Sequence, residues 1–237
     1  MTKARKQRGF VREHLVPLLS HYNWKPPVFD LGSGQGEIII AFQEATNACC
    51  VGCDDNSQSI INATKKQSEV IFIQGDFCAD SIDWMLINRA GLVLMCDVVE
   101  HIGEPAFTAA GKFLRNYGLL YLRFPPWHSP FGGHQHLARH WTRFIPWIHL
   151  LFPRYLRRVG MAKPLRNPDD IESVHRTKLT SSTVDGLGGW QTIYSRRYLI
   201  RPNNGHGIPA PRWLPDLFTM GIEYVLKNDY PKGGKDE

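Results

Sequence analysis

The chain has 237 residues, 43% hydrophobic and 21% charged, which is enough to bury one sizeable α/β core and excludes the disordered and fibrous classes. Its five cysteines, Cys49, Cys50, Cys53, Cys78 and Cys96, are odd in number and crowded on one short stretch; they do not form a disulfide framework and point to a reducing, cytoplasmic setting. The net charge of +6 conceals an asymmetry: Pro105 to Pro168 contains ten Lys and Arg and no Asp or Glu, so the remainder sums to −4, and a segment of one sign commonly faces an anion.

The N-terminal MTKARKQRGFVREHL is basic but has no apolar run, so it does not read as a signal peptide. No stretch approaches the roughly 18 apolar residues of a membrane span. Periodicity predicts an amphipathic helix from Phe10 to Tyr22, a buried strand at PVFDL and a helix from Glu37 to Thr46. ACCVGCD is a second strand, followed by a helix from Ser57 to Gln67. No further Cys or His pair lies at zinc-site spacing from Cys49, Cys50 and Cys53, which read as packed thiols. EVIFIQGD and GLVLMCD are the third and fourth strands, with a helix between them near Asp80 to Asn88. A helix from Pro105 to Asn116 leads to a fifth strand, GLLYLRF. Apolar strands alternating with helices predict a parallel sheet covered on both faces. After Phe124 the rhythm stops. Two late strands, WQTIYSRRYLI and LFTMGIEYVLK, joined by the loop PNNGHGIPAP, predict an antiparallel edge, and the tail YPKGGKDE is expected to fray.

The stretch VFDLGSGQGE brings backbone close to a ligand at the end of the first strand. A triphosphate loop would need Lys after its last glycine, and a dinucleotide fingerprint would need Gly at 37, where the chain has Glu37. The glycines instead spell G-x-G-x-G after an acid, Asp30. Further acids close the next strands: Asp54 with Asp55, Asp76, Asp97, and then Glu100 beside His101. Strand ends of this kind are where open α/β sheets bind ligands.

VFDLGSGQGE, VGCDD, QGDF and CDVVEHI together resemble the successive motifs of class I S-adenosylmethionine-dependent methyltransferases, over residues 28 to about 124, and LFTMGIEYVLK resembles that family's last antiparallel strand. The resemblance implies a Rossmann-like, doubly wound, mostly parallel seven-stranded sheet with an antiparallel last strand, formed by residues 1–237 as a single domain, with 125–178 as an inserted acceptor-binding segment or lid. It implies S-adenosylmethionine as cofactor. Gly32, Gly34 and Gly36 would approach its methionine and ribose, Asp30 would organise its amino group, and Asp54 would hold the ribose hydroxyls, with Asp55 the alternative one residue on. Asp76 and the backbone of Phe77 would meet the adenine, and Asp97 would face the methyl donor. Each acid alone also reads as a helix cap or a solvated strand end.

The part of this segment from Pro125 to Phe152, opening PPWHSPFGGHQHLARHW, carries His128, His134, His136, His140 and His149, half of the ten histidines. His101, His134 and His136 are the acid–base candidates, against plain packing. A metal at His134, His136 and His140 is disfavoured because no Asp, Glu or Cys lies near them in the chain, and no metal is expected. Trp127, Phe131, Trp141, Phe144, Trp147, Phe152 and Tyr155 are interleaved with arginines. Three partners fit that mixture: an anionic, glycan- or lipid-linked small molecule, an anionic membrane surface met peripherally by FIPWIHLLFPRYLRR, and RNA. An RNA or protein methyltransferase and a non-catalytic cofactor-binding or scaffolding subunit stay open beside the small-molecule enzyme. CDVVEHI, in place of an Asn-Pro-Pro-Tyr-like run, disfavours amino groups of bases or glutamine as acceptors.

Overall fold

A computed structural model describes residues 3–66, 68–79, 89–135, 141–152, 154, 168–202 and 207–229. The helix expected near 80–88, His136 and His140, much of the 125–178 segment and the C-terminal tail lie outside the described residues.

The strands are β1 (Val28–Leu31), β2 (Cys50–Asp54), β3 (Ile71–Gln74), β4 (Ala90–Cys96), β5 (Leu114–Phe124), β6 (Trp190–Ile200), β7 (Ile208–Pro209) and β8 (Gly221–Asn228). They form one sheet in the order β3-β2-β1-β4-β5-β8-β6-β7. The pairs from β3 through β5 are parallel, and β8 runs antiparallel to both β5 and β6. The doubly wound order of the sequence reading is therefore present. Its seven strands gain an eighth, the two-residue β7 that pairs with the end of β6. β5 starts four residues earlier than its apolar run and crosses an irregularity between Ala90 and Leu92 of β4, which is why Leu114 to Tyr117 did not read as strand.

Alternation sorts the apolar strand residues to two faces. On one, Val93, Met95, Leu120, Leu122, Tyr224 and Leu226 pack against Ala106, Phe107, Ala110 and Phe113 of α6 (Glu104–Phe113). On the other, Leu92, Leu94, Leu119, Tyr121 and Val225 pack against Ile39, Ile40 and Phe42 of α3 (Glu37–Thr46) and against Phe10, Val11, Leu15 and Leu19 near the N-terminus. That N-terminal helix, expected from Phe10 to Tyr22, starts earlier and stops sooner: α1 (Lys3–Phe10) and α2 (Val16–Ser20) are joined by a π-helical turn, Val11–Leu15. The extra residues of the turn keep Val11, Leu15 and Leu19 on the buried side. α4 (Ser57–Thr64) covers β2 and β3 and is capped by Asn56, whose side chain accepts from Ser59 N.

Beyond β5 come α7 (Ile148–Leu151), α8 (Pro168–Thr177) and α9 (Ser181–Asp185), and α8 packs against α5 (Val99–Ile102), which follows the C-terminal end of β4. None of the helices among the described residues is long and apolar enough to cross a membrane.

Candidate functional site

The turn after β1 needs its glycines for different reasons. Gly32 (φ +78°) and Gly36 (φ +76°) both lie in the left-handed region, and a Cβ would come within 2.5 Å of Val98 at the first and 2.6 Å of Phe72 at the second. Gly34 also has positive φ, but a Cβ there would project into open space. Two glycines thus let the turn pack tightly, and the third leaves room above the strand ends.

Hydrogen bonds fasten this turn to the next strand. Gly32 N and Ser33 N both donate to Cys53 O, at 2.8 and 2.9 Å. Asp54 then accepts from Gly34 N through Oδ2 at 2.7 Å and from Asn56 N through Oδ1 at 3.0 Å. These bonds separate the two candidates at the end of β2: Asp54 is half-buried and tied to the glycine turn, whereas Asp55 is exposed. Asp76 is exposed and caps its own turn by accepting from Cys78 N at 2.8 Å, while the Phe77 ring is buried in the core.

Asp30 is displaced toward its neutral form. It is 2% exposed at the end of β1, and burial, with the nearby carboxylates of Asp54 and Glu37, pushes its pKa up to about 7. Burial likewise pushes the Cys50 and Cys53 thiols up to about 12, so these cysteines carry no thiolate near neutral pH.

Asp97 ends β4 in a left-handed conformation (φ +62°), with its N–H donating to Arg123 O at 2.7 Å. Arg123 Nη2 reaches Asp97 Oδ2 at 3.3 Å, and Arg201, just past β6, donates to Oδ1. Burial alone would raise the Asp97 carboxyl, but the two guanidiniums outweigh it and hold it below the ordinary range. Arg123 is 3% exposed and lies over the Phe10 ring, 4.1 Å from its centroid. The sequence reading missed this internal pairing; it counts Arg123 toward a positive surface, whereas the fold spends that charge on Asp97.

The fold brings His101 and His134 together. Their rings meet edge to face with centroids 4.9 Å apart, although 33 residues separate them. His101 sits on α5, and its Nδ1 lies 2.9 Å from Ser173 Oγ of α8. His134 has a positive φ (+54°) at the end of a turn pinned by close backbone approach: a Cβ on Gly132 would strike Pro126 O, and one on Gly133 would strike His149. The His134 Nε2 lies 3.8 Å from Glu100 Oε1. Glu100 is 1% exposed; burial and then the Asp97 charge raise its carboxyl well above the usual range. Sequence reasoning placed Glu100 only as a neighbour of His101, since nothing local predicts its burial. His149 and His175 play a different part. Each ring meets Trp127 edge to face at 4.8 Å, His149 Nε2 is 2.7 Å from Trp127 O, and burial lowers the His149 pKa to about 4. These two histidines are packing groups.

Neither a protein-family model nor a curated protein sequence matches the chain. Solved structures do. The plantazolicin methyltransferase BpumL, in complex with SAH, aligns over 95% of this chain and 84% of its own with a TM-score of 0.55 and 11% identity. A SAM-dependent methyltransferase from Thermotoga maritima, a possible histamine N-methyltransferase, aligns over 96% and 91% with a TM-score of 0.50 and 11% identity. Magnesium protoporphyrin IX methyltransferase from Synechocystis PCC 6803, with bound SAH, aligns over 94% and 83% with a TM-score of 0.50 and 13% identity. The sheet order, with β8 inserted antiparallel between β5 and β6, and the likeness to these structures along nearly the whole chain agree: the chain has the fold of the class I S-adenosylmethionine-dependent methyltransferases.

Proposed function

We propose that the chain is a methyltransferase that binds S-adenosylmethionine at the ends of β1, β2 and β3 and transfers its methyl group to a small-molecule acceptor. The observation that carries this reading is the bond from Gly34 N to Asp54, which joins the glycine turn to the acid of the neighbouring strand. The residues suit the group chemically. A sulfonium, an ammonium and a diol call for carboxylates, and Asp30, Asp54 and Asp76 stand at successive strand ends with open space above Gly34. When bound, S-adenosylmethionine supplies an electrophilic methyl on a positively charged sulfur. The chain's own work is to orient: Asp54 receives hydroxyls, Asp30 receives the ammonium, and Asp97, fixed by Arg123 and Arg201, sets the floor on the acceptor side. Methyl transfer is an in-line displacement, so positioning and exclusion of water supply most of the rate.

The acceptor reading rests on the 125–178 segment, which is free of Asp and Glu as far as Pro168 and rich in arginine, a composition that fits an anionic, glycan- or lipid-linked molecule. The described part of this segment also presents Trp141, Phe144, Leu151 and Phe152 to solvent, each at least 60% exposed, and carries Arg143, against the Phe144 ring, and Arg154. Apolar groups flanked by arginine suit peripheral contact with an anionic membrane, from a cytoplasmic location where a lipid-linked acceptor is presented.

Calorimetry with SAH, the demethylated product, tests the first reading. Asp54→Ala is expected to weaken SAH by about 1.5–3 kcal/mol, the range for a lost hydrogen bond to a charged group, with Asp55→Ala near wild type. Absence of SAH binding by the wild-type chain refutes it. Incubation of lipid and metabolite extracts with isotopically labelled S-adenosylmethionine, read by mass spectrometry, identifies the acceptor class.

A further inference from the structure

We propose that Glu100, His101 and His134 form a binding site for a divalent transition-metal cation on the acceptor side of the strand ends. One ligand atom from each of the three lies within 4.8 Å of the others, near enough for small side-chain rotations to bring all three onto one ion. Two imidazoles and a carboxylate are a ligand set that holds zinc and related cations while leaving positions open.

Three observations support this beyond proximity. The Glu100 side chain is 2% exposed, and neither of its carboxylate oxygens has a hydrogen-bond partner among the described residues. A buried carboxylate that accepts no hydrogen bond, with only the His134 ring 3.8 Å away, is costly, and a cation is the partner that would relieve it most fully. His101 is oriented from behind by Ser173, whose Oγ lies 2.9 Å from its Nδ1, an outer contact of the kind that fixes metal-bound imidazoles. His134 is held in a left-handed conformation by a turn whose glycines permit no side chain, and backbone strain of this kind persists where a residue is over-determined at a functional site. The neighbouring arginines do not oppose the cation as free charges, because Arg123 and Arg201 are both engaged by Asp97. His101 remains partly exposed, so the cluster opens to solvent on its side.

The chemical consequence rests on the methyltransferase reading. A cation in this position would coordinate the oxygen of a hydroxyl or phenol acceptor and lower its pKa. The O–H proton leaves to water, the oxygen forms the new bond to the methyl carbon, the S–CH3 bond breaks with its electron pair going to sulfur, and SAH departs uncharged at sulfur. His101 and His134 are then ligands, and the proton needs no imidazole base. The reading thereby favours oxygen acceptors.

The test is titration of the full-length, EDTA-treated chain with Co2+, followed by visible absorption, with SAH calorimetry on the same samples. Wild type is expected to take up one Co2+ per chain. Glu100→Gln and His134→Ala are each expected to lose at least about tenfold in Co2+ affinity, and Ser173→Ala about 10–100-fold, the range for removing a group that orients a ligand. SAH affinity should be unchanged in all three, which also certifies that they are folded. No Co2+ uptake by wild type, or equal uptake by wild type, Glu100→Gln and His134→Ala, overturns the metal site. Loss of SAH binding in wild type overturns the methyltransferase reading independently of the metal result.

Discussion

Replacing Asp30 by asparagine separates the stability of the empty fold from its affinity for a cationic ligand. Asp30 is buried at the end of β1, and its pKa stands at about 7 instead of the ordinary 3.8, chiefly through burial and then through Asp54 and Glu37. The folded chain therefore binds one more proton than the unfolded chain between these two values, and its stability falls as pH rises through that window. Below about pH 4 the group contributes nothing; above pH 7 it costs about 4 kcal/mol, at 1.36 kcal/mol for each pH unit between the two values. An asparagine side chain in its place carries no charge to desolvate. Urea denaturation should find Asp30→Asn more stable than wild type at pH 8 by up to about 4 kcal/mol, with the difference vanishing near pH 4. The same substitution should weaken SAH at pH 8, because the ligand's ammonium loses its carboxylate, and wild-type SAH affinity should rise from pH 6 to pH 8. Equal stability of the two proteins at pH 8, or a wild type more stable than Asp30→Asn there, would refute the assignment of a charged, desolvated Asp30 to the ligand-free chain.

Two further expectations follow from the geometry. Gly32→Ala should lower stability by about 2–5 kcal/mol in chemical denaturation, combining the left-handed backbone and the collision with Val98. Gly34→Ala, with open space around it, should cost only the backbone part and act mainly on SAH affinity; equal losses at the two positions would contradict this division. Glu223, fully buried, accepts from His14 Nε2 at 2.8 Å, Tyr121 OH at 3.0 Å, Tyr194 OH at 2.9 Å and Tyr198 OH. Burial raises its pKa, but these bonds outweigh burial and hold the carboxyl below the ordinary range, so its contribution is present above about pH 4 and is lost as pH falls through the folded value. Glu223→Gln should destabilise by about 3–5 kcal/mol at pH 7 and shallow the acid limb of the stability curve; an acid limb parallel to that of wild type would show that Glu223 does not drive it.

The parallel half of the sheet was legible because its strands are short apolar runs, those of β1 to β4 ending at or near an acid, and α3 and β6 have the bounds their periodicity predicts. The placement of Asp30, Asp54, Asp76 and Asp97 near strand ends was legible for the same reason. What periodicity does not carry is pairing between distant residues. The bond that distinguishes Asp54 from Asp55 comes from Gly34, 20 residues away. The Asp97, Arg123 and Arg201 group and the tyrosines around Glu223 come from strands adjacent only in space, so Arg123 read as surface charge and Tyr194 and Tyr198 as ordinary strand residues. The histidines of the 125–178 segment looked alike in composition. Packing divides them: His149 and His175 clamp Trp127, and His134 faces Glu100.

The bond between His14 and Glu223 spans 209 residues, and it sets an order of events during synthesis. β8 lies between β5 and β6, so β6 and β7 have no place in the sheet until the last strand has emerged. At ribosomal speeds of 5–20 residues per second the interval between the two partners is about 10–40 s. During it the N-terminal helix can already settle on α3, but Tyr121 and His14 wait for their common acceptor, and the outer edge of β5 stands bare. A nascent chain with an unpaired apolar strand edge is a target for chaperones and for mispairing with its neighbours on the same message. The strand that completes the sheet is thus also the one that ends the chain's period of greatest exposure.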